Sequence, residues 1–235
     1  MFPRPITVDF SATVRSYWQA RVAQHLEDRY AGIPLLKFPE DLRVYEHLLW
    51  ETRTNVVIEL GTHSGGSALW FRDRLRALAT YGRIADPLVV SIDLDIGRAR
   101  EAIEKVDPGF GHIVLLEGDV LDEALPALVA RHIPGRCACL VVDDSAHTYE
   151  TTSAALRSFE RFVSPGGFFV VEDGCVDVEE MRVDPEWPRG VIPAIEDFLA
   201  TDAGRRFVIR KENERYGLTC HVCGYLQRQS GPDVA

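Results

Sequence analysis

The chain has 235 residues, 46% of them hydrophobic and 26% charged, a size and balance suited to one well-buried α/β domain. Its 26 Lys and Arg against 36 Asp and Glu leave a formal charge of −10. That balance argues against nucleic acid or an anionic membrane as the main partner, because binding phosphate needs basic surface. No apolar run approaches membrane-spanning length, Met1-Phe2-Pro3-Arg4-Pro5 lacks the apolar core of a signal peptide, and five cysteines, an odd number, do not suggest a disulfide framework. A cytoplasmic location is the expectation.

Residues 1–10 read as an arm. From 11 to about 30, Val14, Trp18, Val22 and Leu26 recur at near-helical spacing, with Ser11 as the candidate cap. Gly32 to Pro39 is a connector punctuated by proline. A second helix is expected from Pro39 to Glu51, with Leu42, Tyr45, Leu48 and Leu49 on its inner side. Both helices precede the first strand, so they either cap a crevice or pack outside the sheet. Strands follow at 56–60, 88–92, 112–116, 138–142 and 167–171, with helices at about 66–80, 97–105, 122–131 and 148–162 between them. This alternation predicts a parallel sheet covered on both faces. A last helix is expected over 192–200. Strands at 206–210 and 218–226, joined by a loop at 213–217, predict an antiparallel hairpin. The expected organisation is an N-terminal helical extension over 1–54, a core domain over 55–228 and a flexible tail over 229–235.

Chemistry concentrates where these strands end. Val57-Ile58-Glu59-Leu60-Gly61-Thr62-His63-Ser64-Gly65-Gly66-Ser67 leads from a strand into a helix, where glycines allow close backbone approach and free N–H groups face a ligand. The glycine spacing departs from G-x-G-x-x-G, so NAD is a poor fit. Asp93, at the second strand tip, is placed to accept ribose hydroxyls, and Asp119, beside Val120 at the third, to meet an adenine amino group. Two further tips carry acids: Val142-Asp143-Asp144-Ser145-Ala146-His147 and Val171-Glu172-Asp173. Carboxylates gathered there repel one another unless a cation compensates them.

Ile58-Glu59-Leu60-Gly61-Thr62 followed by Asp93 and Asp119 resembles the Rossmann-like S-adenosylmethionine (SAM) methyltransferases. Within that group, Gly32 to Asp41, Gly61-Thr62 with Gly65-Gly66-Ser67-Ala68, and Asp143 to His147 with Glu172-Asp173 resemble the cephalosporin hydroxylase family. That family overlaps with macrolide and rhamnosyl sugar O-methyltransferases, and the similarity covers about residues 30–175. The resemblance implies a class I methyltransferase fold: a seven-stranded, mostly parallel sheet with an antiparallel C-terminal hairpin and N-terminal helices. It implies a cofactor site of Glu59, Gly61, Thr62, Gly66, Ser67, Asp93, Asp119, Val120 and Asp143. Asp144, Glu172 and Asp173 match the family's cation ligands, and His147 matches its general base, with Asp144 beside it in the catalytic pair. Oxygen ligands suit a hard ion, Mg²⁺ first, with Ca²⁺ or Mn²⁺ as alternatives. The implied reaction is Mg²⁺-dependent methyl transfer from SAM to a hydroxyl of a small molecule, such as a sugar or natural-product intermediate. The competing readings are a catechol-type O-methyltransferase and a non-catalytic, nucleoside-binding partner subunit of a hydroxylase and methoxylation system. Whether the chain forms a homo-oligomer does not follow.

Several residues carry more than one reading. Asp143 follows its strand as directly as Asp144, and is either a metal ligand, a cofactor contact or a helix cap. His147 is either the base or an N-terminal helix residue. Lys37 reaches the cofactor carboxylate, reaches the substrate, or is solvated. Cys220-x-x-Cys223 falls in an expected strand, which opposes a zinc or redox role, and Cys137 and Cys139 read as core thiols. The irregular acidic run 174–190 (Asp177, Glu179, Glu180, Asp184, Glu186, Trp187) is the expected specificity lid.

Overall fold

The computed structural model describes residues 6, 9–135 and 137–230. In chain order its elements are α1 (Val14–His25), β1 (Arg29–Tyr30), β2 (Ile33–Pro34), α2 (Pro39–Thr52), β3 (Val56–Leu60), α3 (Gly66–Thr80), β4 (Leu88–Asp93), α4 (Gly97–Val106), β5 (Ile113–Glu117), α5 (Leu125–Ala130), β6 (Cys139–Asp143), α6 (Tyr149–Phe159), β7 (Phe168–Val171), α7 (Val191–Ala200), β8 (Phe207–Ile209) and β9 (Tyr225–Arg228). The arm over 1–10 and the tail over 229–235 lie largely outside the described residues.

Seven strands form one sheet in the order β5-β4-β3-β6-β7-β9-β8. The first five are parallel, and β9 runs antiparallel to both β7 and β8. This is the class I methyltransferase architecture expected from the sequence. β3 and β6 are buried along their whole length, including Glu59 within β3 and Asp143 at the end of β6, as their mostly apolar runs suit. Their alternating side chains feed opposite layers. Val56, Ile58 and Leu60 pack with Phe159 and Ile195 on one face, while Val57 packs with Tyr45, Leu49 and Leu75 on the other. The chain runs outward from β3 to β5, then returns to β6 on the other side of β3. The carboxyl ends of β3 and β6 therefore flank the switch point at which open α/β sheets bind ligands.

The two N-terminal helices take different roles. α2 packs on the sheet through Val44, Tyr45, Leu48 and Leu49. α1 lies at the crevice end, where Trp18 Nε1 donates to Met181 O at 2.5 Å. Its cap is Thr13 rather than Ser11, with the Thr13 hydroxyl accepting from Ser16 N at 3.1 Å. The connector after it holds a small hairpin, β1 with β2, turned by Ala31 and Gly32 at φ 49° and 85°. Two left-handed residues in a row make the turn that suits a tight hairpin.

The largest departure from the expected elements is at the C-terminus. The strand expected over 218–226 begins only at Tyr225, so Cys220 and Cys223 sit in a loop and not in a strand. The cause is Asp41, buried near the start of α2. Its carboxylate accepts from Thr219 Oγ1 at 2.5 Å, Cys220 N at 3.0 Å and Tyr225 OH at 3.2 Å, drawing the backbone out of the sheet ladder. Among the described residues no helix is long and apolar enough to cross a membrane.

Candidate active site

A cavity of about 730 Å³ opens at the carboxyl ends of the strands. One half is built from the turns after β3, β4 and β5, and the other from the turns after β6 and β7 together with the end of α1.

The β3 turn is shaped by backbone approach. Gly61 has φ 98°, and a Cβ there would lie 1.9 Å from the Asp144 carbonyl oxygen. Only glycine lets the β3 and β6 turns pass so closely. Asp93 holds this turn from the next strand. Its Oδ2 accepts from Thr62 N at 3.0 Å and His63 N at 2.7 Å, and its Oδ1 from Leu94 N at 2.8 Å. The expected ribose acceptor is thus first a brace for the glycine turn, although its Oδ1, with one donor, keeps a second lone pair. Asp119 and Val120 line the wall, and Asp119 Oδ1 accepts from Leu121 N at 2.9 Å. Thr62 and Ser67 also line it, as do His63, Asp95 and Arg98, which the sequence reading did not single out. The β4 turn, acidic at both Asp93 and Asp95, was the available signal for Asp95.

Three expected cofactor residues are not on the wall: Gly66 and Glu59 on this half, and Asp143 on the other. Gly66 starts α3 beneath the hairpin, where a Cβ would lie 2.1 Å from the Pro34 carbonyl oxygen, so its smallness serves packing. Glu59 is wholly buried and accepts from Ser91 Oγ. Burial raises its carboxyl pKa, against the pull of Lys37. Glu59 Oε1 and Thr62 Oγ1 are both buried and have no hydrogen-bond partner among the described residues. Of these, the Thr62 hydroxyl belongs to the cavity lining and marks a place where a polar ligand completes the hydrogen bonding.

On the other half the acids divide by environment. Asp143 is buried off the wall and accepts from the Ser145 hydroxyl at 2.7 Å, so it caps its own turn. Burial pushes its carboxyl up to about 6. Asp144 reaches the cavity. Its Oδ2 takes a hydrogen bond from Lys37 Nζ at 2.8 Å, and its Oδ1 lies 3.7 Å from His147 Nε2. Burial, with Glu172 adding repulsion, pushes the Asp144 carboxyl well above the carboxylate range.

Lys37 is no solvated loop lysine. It is 3% exposed, and its ammonium lies 2.6 and 2.7 Å from the two oxygens of Glu172. Tyr45 OH donates to the same carboxylate at 2.6 Å. Burial raises the Glu172 pKa, but Lys37, helped by His221 and the Tyr45 hydroxyl, outweighs it and brings the carboxyl down to about 2. The structure therefore departs from the expected ligand trio. Asp144 and Asp173 face the cavity, while Glu172 stands behind them, occupied by Lys37 and Tyr45.

His147 lies opposite Asp173, with Nε2 3.4 Å from Asp173 Oδ2. It precedes the Thr148 cap of α6 and so stands outside the helix. Both His147 and Asp173 have φ 57°, a left-handed backbone that costs energy in a residue other than glycine and gathers at functional sites. Donor atoms of Asp144, His147 and Asp173 all lie within 4.8 Å of one another, a spacing that one ion can span.

The expected lid does not form the wall. Arg182, buried inside residues 174–190, donates to Val176 O, Pro185 O and Trp187 O, and Asp177 accepts from the backbone of Gly190 and Ile192 at the start of α7. The segment is folded upon itself and braces α1, and it is α1 that supplies His25 and abuts Leu26 at the cavity wall.

A family model described as rhamnosyl O-methyltransferase/CmcI matches residues 22–229. The chain belongs to that family. It is 27% identical over 205 residues to the rhamnosyl O-methyltransferase of Mycobacterium tuberculosis (strain ATCC 25618 / H37Rv), covering 85% of this chain and 77% of that one. It is 26% identical over 204 residues to that of Mycobacterium leprae (strain TN), covering 85% and 82%. A structure of CmcI with Mg and SAM is similar at a TM-score of 0.63 and 22% identity, over 87% of this chain and 78% of that one. A structure of MycE, from the mycinamycin biosynthetic pathway, with Mg, S-adenosylhomocysteine and mycinamycin VI reaches 0.51 and 18%, over 81% and 50%. At these identities the two structures show a shared fold.

Proposed function

We propose that this protein transfers the methyl group of SAM to a hydroxyl of a small molecule, with a divalent cation, Mg²⁺ first, at Asp144 and Asp173. A sugar or a sugar-bearing natural product is the acceptor class that the named relatives favour. The observation that carries the reading is a single cavity joining two unlike halves. One has a close-approach glycine turn with the orphaned Thr62 hydroxyl, and the other has two carboxylates facing a histidine.

The donor set fits a hard cation. Asp144 Oδ1 and Asp173 Oδ2 are carboxylate oxygens open to the cavity, and a small, strongly hydrated ion needs only one or two carboxylates with waters completing its shell. Lys37 neutralises Glu172 and shares one oxygen of Asp144, which leaves the cavity acids short of positive charge. When bound, the cation lowers the pKa of a hydroxyl presented to it, and the sulfonium offers an electrophilic methyl.

This chain's own residues do the rest. Gly61, Thr62 and Ser67 form the seat for the cofactor, and Asp119 with Val120 the wall for its base. Asp93 keeps the glycine turn rigid. His147 Nε2 takes the hydroxyl proton as the acceptor oxygen attacks the methyl carbon. The carbon–sulfur bond breaks, giving a methyl ether and S-adenosylhomocysteine. Asp173 and Asp144 then favour the imidazolium that forms. Packing of α1 over the crevice limits water and holds the acceptor close to the methyl.

The test is incubation with SAM and a panel of simple glycosides, methyl α-L-rhamnopyranoside among them, with Mg²⁺ and with EDTA. Methylated glycoside in Mg²⁺ and its loss in EDTA are expected. No methyl transfer by a chain that does not bind S-adenosylhomocysteine would overturn the reading.

A further inference from the structure

The acceptor side of the cavity holds a second histidine that the reaction above leaves unused. His25 is the last residue of α1, partly buried, and its ring lines the same cavity as Asp144, His147 and Asp173. Its Nδ1 lies 2.6 Å from the carbonyl oxygen of Val22. A carbonyl has no proton to give, so at that distance Nδ1 carries the hydrogen, and the neutral ring leaves Nε2 as a bare lone pair. Burial lowers the pKa of the ring, against the opposing pull of the Val22 and Arg21 carbonyls and of Asp173. Among the described residues no group donates to Nε2.

The ring is also held still. Phe38 meets it edge to face, with centroids 4.7 Å apart and an interplanar angle of 71°. The helix that carries it is pinned by Trp18 to Met181 O and by Arg15 to Glu179 O and Arg182 O. A fixed acceptor without a donor, at a cavity wall that faces a hydroxyl-bearing substrate, discriminates strongly between ligands with and without a hydroxyl at that place.

We propose that His25 is a specificity residue for the acceptor, its Nε2 taking a hydrogen bond from a second hydroxyl while the reacting hydroxyl lies at Asp144, His147 and Asp173. The site then selects polyhydroxylated acceptors, such as a sugar with more than one free hydroxyl, over simple alcohols. This rests on the functional reading above and adds to it a residue outside the acidic motifs.

The test has two arms. Nitrogen-15 NMR of the imidazoles reads the His25 tautomer without any ligand, and protonation at Nδ1 is expected. Adding methyl α-L-rhamnopyranoside to the protein with Mg²⁺ and S-adenosylhomocysteine should then move the Nε2 resonance. In turnover, His25→Phe keeps the ring packing on Phe38 but removes the acceptor. It should raise KM for the glycoside by roughly 5- to 10-fold, the effect of one lost neutral hydrogen bond. S-adenosylhomocysteine affinity should stay unchanged, and preference for the glycoside over its monodeoxy analogues should collapse. His25→Gln, which retains an acceptor oxygen, should restore part of that preference. A ring protonated at Nε2, an Nε2 resonance unmoved by the glycoside, or a His25→Phe variant with unaltered KM and preference overturns the proposal. Failure of the wild-type chain to bind S-adenosylhomocysteine would instead count against the methyltransferase reading.

Discussion

The Lys37 ammonium touches both oxygens of the Glu172 carboxylate, at 2.6 and 2.7 Å, and the two side chains are 1% and 2% exposed. A loop lysine from before the sheet thereby fixes the acidic end of β7 from within. Removing one partner leaves the other charge buried. Lys37→Met is expected to cost about 3–5 kcal/mol in urea unfolding, and the double variant Lys37→Met, Glu172→Gln to recover a substantial part of it. Equal instability of the single and double variants would show that the pair is not the source.

Asp41 accepts from Thr219, Cys220 and Tyr225, all buried. Asp41→Ala strands three donors at once. A loss on the order of 3 kcal/mol by denaturant unfolding is expected, with faster hydrogen exchange over residues 218–224 than elsewhere. Uniform exchange along the chain would deny Asp41 its role in shaping that loop.

Gly61→Ala would place a Cβ 1.9 Å from the Asp144 carbonyl, so the β3 and β6 tips must part. The expected cost is about 1–3 kcal/mol of stability, together with weaker S-adenosylhomocysteine binding by calorimetry. Retained affinity in a destabilised variant would separate the turn from the cofactor seat.

His147 and Asp173 divide the acid–base and cation roles. His147→Ala should lower kcat by roughly 100- to 10,000-fold while leaving S-adenosylhomocysteine and Mg²⁺ affinity intact. Asp173→Asn should instead weaken Mg²⁺, seen as a lost metal-dependent rise in Tm. If His147→Ala also abolished the Mg²⁺ effect, the histidine would be a ligand rather than the base.

The parallel half of the sheet was legible because buried strands such as Val56–Leu60 and Cys139–Asp143 are short, mostly apolar runs separated by helical periodicity. Its acidic tips were legible for the same reason, since a carboxylate directly after such a run lands at the crevice. What remained hidden depends on partners distant in sequence. Lys37 reads as a loop lysine until Asp144 and Glu172, 107 and 135 residues on, enclose it. Residues 218–224 look like a strand until Asp41, 178 residues earlier, claims Thr219. Glu172 and Asp173 are adjacent in sequence, yet one turns inward to Lys37 and the other, at φ 57°, outward to His147. His25 carries no local signal, because its place at the cavity follows from how α1 is pinned by the segment after β7.

The central claim is that the carboxylates of Asp144 and Asp173, facing His147 across one cavity, serve cation-assisted methyl transfer. The most direct measurement is transfer of isotopically labelled methyl from SAM to methyl α-L-rhamnopyranoside, by wild type and by Asp144→Asn, Asp173→Asn, over a Mg²⁺ titration. Saturable, EDTA-sensitive transfer by wild type and its loss in the double variant, with S-adenosylhomocysteine still bound, are predicted. Undiminished transfer in EDTA or by the double variant would contradict the account.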